Sequence, residues 1–427
     1  MELKNANIPS IMCTGDNILT AISVSKEASI LNSDEYCFVP IFNDDQEKLQ
    51  WECVDDPEIK LDSDSLQPLD QQVVDKGYAL AVTGGAFNKI FGDHIRISTD
   101  DEEDVEEEGH FAKYSNYYKS VVLMNARVYA RMSPDDKEDL VNNLQDLDYN
   151  VGFCGDGAND VGALRSADCG VSLSEAEASV AAPFTSQVFN ISCVLNIMKE
   201  GRCSIVTSFS CFQYMSLYSA IQFITVTMLY SQGSNLGDLQ YLYIDLLLII
   251  PLAITMSWSA PNYGLLVSKR PSMNLVSLKI LVPIVINVIL ILLGQMIPWY
   301  TSRFMPWYVK PVVGGQEDVN STDNTVLFFV SSFQYIFMSV VLTQGPPYRE
   351  SIFENHAYIG NVSACIISTL VLMLGNYDNL FGSWMQLTGL SLGFKMFLMA
   401  WCVMEFYGHE WLPKMFNKRF RKKLSSK

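Results

Sequence analysis

The chain has 427 residues with 29 basic and 47 acidic side chains, a net charge of −18, and 49% of its residues are apolar. Residues 1–200 hold 14 Lys and Arg against 37 Asp and Glu, a net of −23, while residues 201–427 hold 15 against 10, a net of +5. An acidic half joined to a weakly basic, apolar half excludes a nucleic-acid-binding protein, which needs a concentrated basic face, and the length allows two to three domains.

Ten cysteines, at positions 13, 37, 53, 154, 169, 193, 203, 211, 365 and 402, include no Cys-x-x-Cys pair. That usage suits a reduced cytosolic domain followed by membrane helices rather than a disulfide scaffold or a zinc site. The four histidines (94, 110, 356 and 409) never cluster. The chain opens on the polar run Met1-Glu2-Leu3-Lys4-Asn5, so export of the first half is not expected.

In chain order, Ile8–Cys13 is a short apolar run that reads as a strand and ends in Thr14-Gly15-Asp16-Asn17. A hydroxyl beside a glycine lets backbone and Oγ approach a phosphate oxygen. A helix cap by Asp16 or Asn17 is the plainer reading. Residues 17–29 then have helical spacing. Residues 33–118 are poor in pattern and contain the run 100–108, in which eight of nine residues are acidic. Such a run repels itself and is expected to be a solvated loop.

Val128–Ala130 reads as a strand, Pro134–Leu147 as a helix, Asn150–Cys154 as a strand and Asp160–Ser166 as a helix start. Alternation of this kind implies an α/β fold with a parallel sheet, its working loops at the carboxyl ends of the strands. Lys137 falls in the first turn of its helix, where the helix dipole prefers anions. Either a neighbouring phosphate explains it or it is a solvated surface lysine. In Gly155-Asp156-Gly157-Ala158-Asn159-Asp160, two aspartates four apart on a glycine-permitted turn can face one ion. Mg²⁺ takes one or two carboxylates together with water and phosphate oxygens. Asp156 is the expected direct ligand, Asp160 a supporting carboxylate, and Asn159 a donor to the phosphoryl group.

The second half reads as six membrane spans near Ile205–Tyr230, Leu239–Trp258, Ile280–Tyr300, Val326–Leu342, Ala357–Leu374 and Trp384–Phe406. Connections assigned to one side carry Lys269, Arg270, Lys279, Arg349 and seven basic residues after Trp411; the other side carries Arg303 and Lys310. By the positive-inside rule both termini are expected in the cytosol, and residues 411–427 form a basic cytosolic tail. The triplet Asn320-Ser321-Thr322 would be a glycosylation acceptor if its loop is lumenal. Tyr214, Tyr218 and Gln222 share one face of the first span, and Asp245 lies within the second. A carboxylate there is costly unless it faces a partner or a wet cavity. Carboxylate, amide and aromatic faces together suit an organic polycation.

Three runs, Thr14-Gly15-Asp16, Ala130-Arg131-x-x-Pro134-x-x-Lys137 and Gly155–Asp160, followed by six spans, resemble the phosphorylation-domain motifs of P-type ATPases in family order. The stretch Asp156–Ser186 further resembles the type 5 class, subfamily B, whose members are known as polyamine transporters of endosomes and lysosomes. The resemblance implies a haloacid-dehalogenase-like, Rossmann-type phosphorylation domain, partial and over residues 1–200 with the acidic insert near 33–118. It also implies an all-α bundle of six transmembrane helices over residues 201–410. It implies ATP and Mg²⁺ as cofactors, and a lipid bilayer and a polyamine or other cation as partners. Thr14, Gly15, Asp16, Lys137 and Asn159 would belong to the catalytic site, Asp156 and Asp160 to the metal site. Tyr218, Gln222 and Asp245 would take the substrate. The family's acceptor aspartate lies in Asp-Lys-Thr-Gly-Thr, a run this sequence does not contain. Covalent aspartyl-phosphate chemistry needs it, so the N-terminal half of a pump is the expected missing partner. Two other readings stand beside the pump: a catalytically dead membrane protein that regulates another transporter, and a phosphatase-like domain on a membrane anchor.

Overall fold

The computed structural model describes residues 2–41, 49–62, 65–92, 114–173, 182–311, 319–375 and 384–424. The acidic run 100–108, and residues 174–181 of the Asp156–Ser186 stretch, lie outside the described residues. The chain divides into one unit of Met1–Ile197 with Leu266–Ser268 and a second of Met198–Leu265 with Lys269–Lys427.

In the first unit, β1 (Met12–Cys13), β2 (Tyr36–Ile41), β3 (Gln50–Cys53), β4 (Tyr78–Thr83) and β5 (Ala126–Ala130) form a sheet ordered β1-β5-β4-β2-β3. Strands β1, β5, β4 and β2 are parallel, and β3 runs antiparallel to β2. A separate parallel sheet joins β6 (Gly152–Gly155), β7 (Cys169–Ser172) and β8 (Phe184–Thr185). The helices are α1 (Glu2–Asn5), α2 (Ile18–Glu27), α3 (Gln71–Lys76), α4 (Gly84–Phe91), α5 (Asn116–Asn125), α6 (Pro134–Asp146) and α7 (Val161–Ser166).

The expected α/β class and parallel sheet are present. Residues 33–118, where the sequence shows no pattern, nevertheless supply β2, β3, β4, the helices α3 and α4 and the start of α5. The reason is burial on both faces: Tyr-Cys-Phe-Val-Pro-Ile and Tyr-Ala-Leu-Ala-Val-Thr are continuous apolar runs without the alternation of a half-exposed strand. Leu80 and Val82 of β4 pack with Phe38, Phe87, Val122 and Tyr129. Ala79 and Ala81, pointing the other way, pack with Ala21, Ile22 and Val128. Small residues on that face let α2 lie close. Each fully buried Leu or Val contributes about 1.5–3 kcal/mol.

The second unit holds α8 (Ser192–Tyr230, beginning in the first unit), α9 (Asp238–Ser257), α10 (Leu278–Ser302), α11 (Thr322–Leu342), α12 (His356–Leu374) and α13 (Leu392–Leu424). Four of these, α9 to α12, are long and apolar enough to cross a membrane among the described residues. Helices α8 and α13, expected as the first and sixth spans, are long but fall short in apolar content. The first carries Ser208, Ser210, Gln213, Ser216, Ser219, Gln222, Thr225 and Thr227; the last carries Lys395, Glu405 and His409. Helix α11 is the hub, buried from Thr322 through Ile336. Around it the bundle is apolar outside: Phe223, Leu246, Leu247, Ile254, Val285, Ile289, Ile367, Val371, Met396 and Val403 are exposed. Polar Thr225, Gln240, Asn287, Gln295, Gln334 and His409 are buried. A bundle with its apolar side chains outward suits lipid as solvent.

Candidate functional site

The structure draws the three loops of the first unit together. Strand β1 ends at Cys13, and Thr14 N–H donates to the Tyr129 carbonyl of β5 at 2.9 Å. The next turn is knit to the loop after β5, since Met132 N–H donates to Thr14 O (3.1 Å) and Arg131 N–H to Asp16 O (3.0 Å). Arg131 takes a left-handed φ of 53° to make this contact. Thr14 Oγ1 donates to the Asp16 carboxylate at 3.2 Å and accepts from Asp16 N–H at 3.2 Å. Asn17, not Asp16, caps α2, its side chain accepting from Leu19 N–H at 3.0 Å.

Helix α6 opens with a capping box: Ser133 Oγ accepts from Asp136 N–H, the Asp136 carboxylate accepts from Ser133 N–H, and Pro134 occupies the first turn. This fixes the turn on which Lys137 sits. Lys137 is neither solvated nor left without an anion, because its Nζ donates to Asp160 Oδ1 at 2.7 Å with both side chains 11% exposed. The charge that disagrees with the helix dipole is thus answered by a carboxylate from the loop after β6. Gly155 makes the approach possible: a β-carbon there would lie 2.8 Å from Asp160 Cγ and 2.9 Å from its Cβ. Asp156 and Asn159 are exposed.

Burial pushes the Cys13 thiol up to about 12, with Asp160 and Asp136 adding to the rise and Lys137 opposing it. Burial, then Cys193, pushes Cys154 up to about 11. The Asp168 carboxylate is held below its usual range by the Val151 N–H and then Gln145. Among the described residues no group of three His, Cys, Asp or Glu side chains is placed to hold a metal ion. A divalent cation here would draw on Asp156, which has no side-chain hydrogen bond among the described residues, and on phosphate and water oxygens. That donor set fits Mg²⁺.

In the second unit, Tyr218 O–H donates to Asp245 Oδ1 at 2.8 Å, and Gln222 hydrogen-bonds the same hydroxyl. These three predicted residues are therefore one cluster. Tyr214, on the same face, is fully buried and its hydroxyl has no partner among the described residues. Tyr335 of α11 completes the group: its ring lies 5.7 Å from that of Tyr218 and its buried hydroxyl is also unpartnered. The sequence gives one signal for Tyr335, its place beside Ser331, Ser332 and Gln334 in an otherwise apolar span.

Asp245 stands on a stretch that winds as a π-helix over Tyr243–Ile249, with Ile250 N–H bonded to Asp245 O. Pro251 cannot donate to the Leu247 carbonyl four residues back. The Cys365 thiol of α12 donates to that carbonyl instead, at 3.6 Å. Helices interrupted in this way cluster at functional sites.

No family model matches the chain. Among curated proteins it is 51% identical over 436 residues to the vacuolar cation-transporting ATPase YPK9 of Saccharomyces cerevisiae, covering 100% of this chain and 28% of that protein. It is 34% identical over 417 residues to the human polyamine-transporting ATPase 13A3, covering 87% of this chain and 32% of that one. With the human polyamine-transporting ATPase 13A2 it shares 33% identity over 443 residues, 100% of this chain and 35% of the relative. The chain thus spans about a third of the length of the relatives it matches.

Proposed function

Because the chain belongs to the P-type ATPases, with homologues in the 13A (type 5) subfamily, we propose that it is the part of an ATP-driven pump that carries a polyamine-binding site. The observation that carries the proposal is the cluster of half-buried Tyr218, Gln222 and Asp245 beside the buried Tyr335. A carboxylate supplies the countercharge for an ammonium group, the rings add cation–π attraction, and the phenol and amide accept further N–H groups. The relatives named as polyamine transporters support that substrate class.

The phosphoryl chemistry is assigned to the linked loops of the first unit. Thr14 and the backbone around Gly15 and Asp16 would receive phosphate oxygens, Asn159 would donate to them, and Lys137 would swing its charge between Asp160 and the phosphate. Mg²⁺, held by Asp156 with Asp160 in support, would neutralise phosphate charge; ATP would be the phosphoryl source. The acceptor aspartate would come from a segment outside residues 1–427, pairing with the sheet edges presented by β1 and β6. A haloacid-dehalogenase-like domain, six spans, cytosolic termini and an endomembrane location belong to the same proposal, the last in line with the vacuolar relative.

The test is Asp245→Asn in a complete pump containing this chain. Spermine-stimulated ATP turnover is expected to disappear while phosphorylation by ATP persists. Stimulation that survives the substitution overturns the polyamine assignment.

A further inference from the structure

A second polar cluster lies in the bundle among residues that the proposed pump site does not use. Gln295 Nε2 of α10 donates to Gln334 Oε1 of α11 at 2.8 Å, and Gln334 Nε2 donates onward to Glu405 Oε1 of α13. Thr225 O–H of α8 donates to Gln295 Oε1 at 3.1 Å. One turn beyond Glu405, His409 places Nε2 3.3 Å from Glu405 Oε1 and Nδ1 3.0 Å from Asn287 Oδ1 of α10. The His409 side chain is 1% exposed and that of Glu405 7%. Asn287 is nine residues into α10, about 13 Å from its start.

The helices make room for the acid. A β-carbon on Gly294 of α10 would overlap the Glu405 carboxyl group, 2.8 Å from its Oε2. A buried carboxylate with a fitted slot, an amide donor and an imidazole is a costly arrangement in such a bundle and marks function. The other groups turned to it are uncharged. Helix α10 contributes Asn287, Gln295 and the Gly294 carbonyl, which accepts from Trp401. Helix α11 contributes Gln334, while its own acid, Asp323, is taken by Arg303 and Tyr308. On α13 the thiol of Cys402 lies near Glu405.

The hydrogen-bond directions then leave one place undecided. Asn287 Oδ1 can only accept, so His409 Nδ1 carries a proton. Glu405 Oε1 already accepts from Gln334. On the Nε2···Oε1 axis a bare lone pair would face a bare carboxylate unless one proton sits between them. We propose that Glu405 and His409 form a proton-binding site within the bundle, separate from the Tyr218–Asp245 cluster, that takes up and releases one proton. The proton is shared between Oε1 and Nε2; uptake adds it from solvent and release returns it, with no bond to carbon changed. The amides of Gln334 and Gln295 orient the carboxylate and do not conduct. A single carboxylate and an imidazole with both nitrogens engaged suit a proton better than a metal ion, which asks for three or more donors.

The test uses the full chain in lipid nanodiscs with ¹⁵N-labelled histidine. Only four histidines exist, and His409→Gln assigns the signal. Both His409 nitrogens are expected to carry protons at neutral pH, Nδ1 toward Asn287 and Nε2 toward Glu405. In Glu405→Gln at the same pH, Nε2 is expected to have lost its proton and to accept from the new amide, because the carboxylate that shares the proton is gone. A single neutral form with Nε2–H and a bare Nδ1 overturns the proposal, as does an identical spectrum in Glu405→Gln. If Glu405→Gln does not fold, Gln334→Leu serves: without the competing amide donor on Oε1 the shared proton shifts and the Nε2 resonance is expected to move, and an unmoved resonance counts against the site. The readout does not involve Asp245 or polyamines, so it stands or falls apart from the transport assignment.

Discussion

Gly155 and Lys137 show how much of the phosphoryl site rests on single residues. A methyl group at Gly155 would meet the Asp160 carboxyl carbon at 2.8 Å, so Gly155→Ala must displace Asp160 or the turn. The expected cost is about 1–3 kcal/mol in chemical denaturation of the chain. The ion pair of Lys137 and Asp160 is buried, and removing one partner leaves an uncompensated charge. Lys137→Met and Asp160→Leu are each expected to cost about 3–5 kcal/mol, and the double variant much less than their sum. Additive losses in that cycle would mean the pair does not couple. The thiols give a pH test. Cys13 and Cys37 are both pushed from 9.0 to about 12 by burial, so the unfolded chain gives up these protons first. Stability is therefore intact below about pH 9 and falls as pH climbs toward the folded-state value. Thermal midpoints between about pH 7 and about pH 11 are expected to drop in the wild-type chain and to drop less in Cys13→Ala/Cys37→Ala. The sequence exposed which loops matter, because glycine, proline and a misplaced lysine leave local marks. It could not show that Asp160 answers Lys137, since 23 positions separate them and only the paired loops bring them together.

At the scale of the element, the span bearing Asp245 was legible as apolar and about the right length, but its winding was not. Hydrophobic spacing reports a face, and a π-turn shifts that face without changing composition. The interruption depends on Pro251, which withholds the donor that Leu247 O would otherwise meet, and on the Cys365 thiol that replaces it. Pro251→Ala restores an N–H and allows ordinary winding over Tyr243–Ile249. One residue of rewinding turns the Asp245 side chain by about 100° around the axis, away from the Tyr218 hydroxyl now 2.8 Å away. Loss of a hydrogen bond to a charged group is worth about 1.5–3 kcal/mol. Spermine affinity of a complete pump carrying Pro251→Ala is accordingly expected to weaken at least about tenfold. Unchanged affinity would show that the π-turn does not position the carboxylate. Strands β2 and β4 escaped the sequence reading for a related reason: buried on both faces, they lack the alternation that reveals a strand.

For the whole molecule, composition and side-chain direction give two different counts of membrane-crossing helices. Composition alone favours four, α9 to α12. Side-chain direction favours six, because polar groups on α8 and α13 turn inward while their outer faces are apolar. Tyr214 and Thr225 of α8 are buried and Phe212, Met215 and Phe223 exposed; His409 of α13 is buried and Met396, Val403 and Met404 exposed. Hydropathy averaged around a helix cannot see this division. The two counts both put the termini on one side, so tagging the ends does not separate them. They differ at the connection between α10 and α11. With six spans, Lys310 lies on the side opposite residues 1–197; with four, it lies on the same side. Lys310 is exposed, whereas Arg303 nearby is paired with Asp323 at 3.1 Å. In sealed vesicles with the first unit outside, Lys310→Cys is expected to resist a membrane-impermeant maleimide and to react once detergent opens the membrane. Immediate labelling would mean that α8 and α13 lie outside the bilayer. The buried Glu405–His409 pair would then belong to a water-facing helix, and its proton would exchange without crossing any lipid.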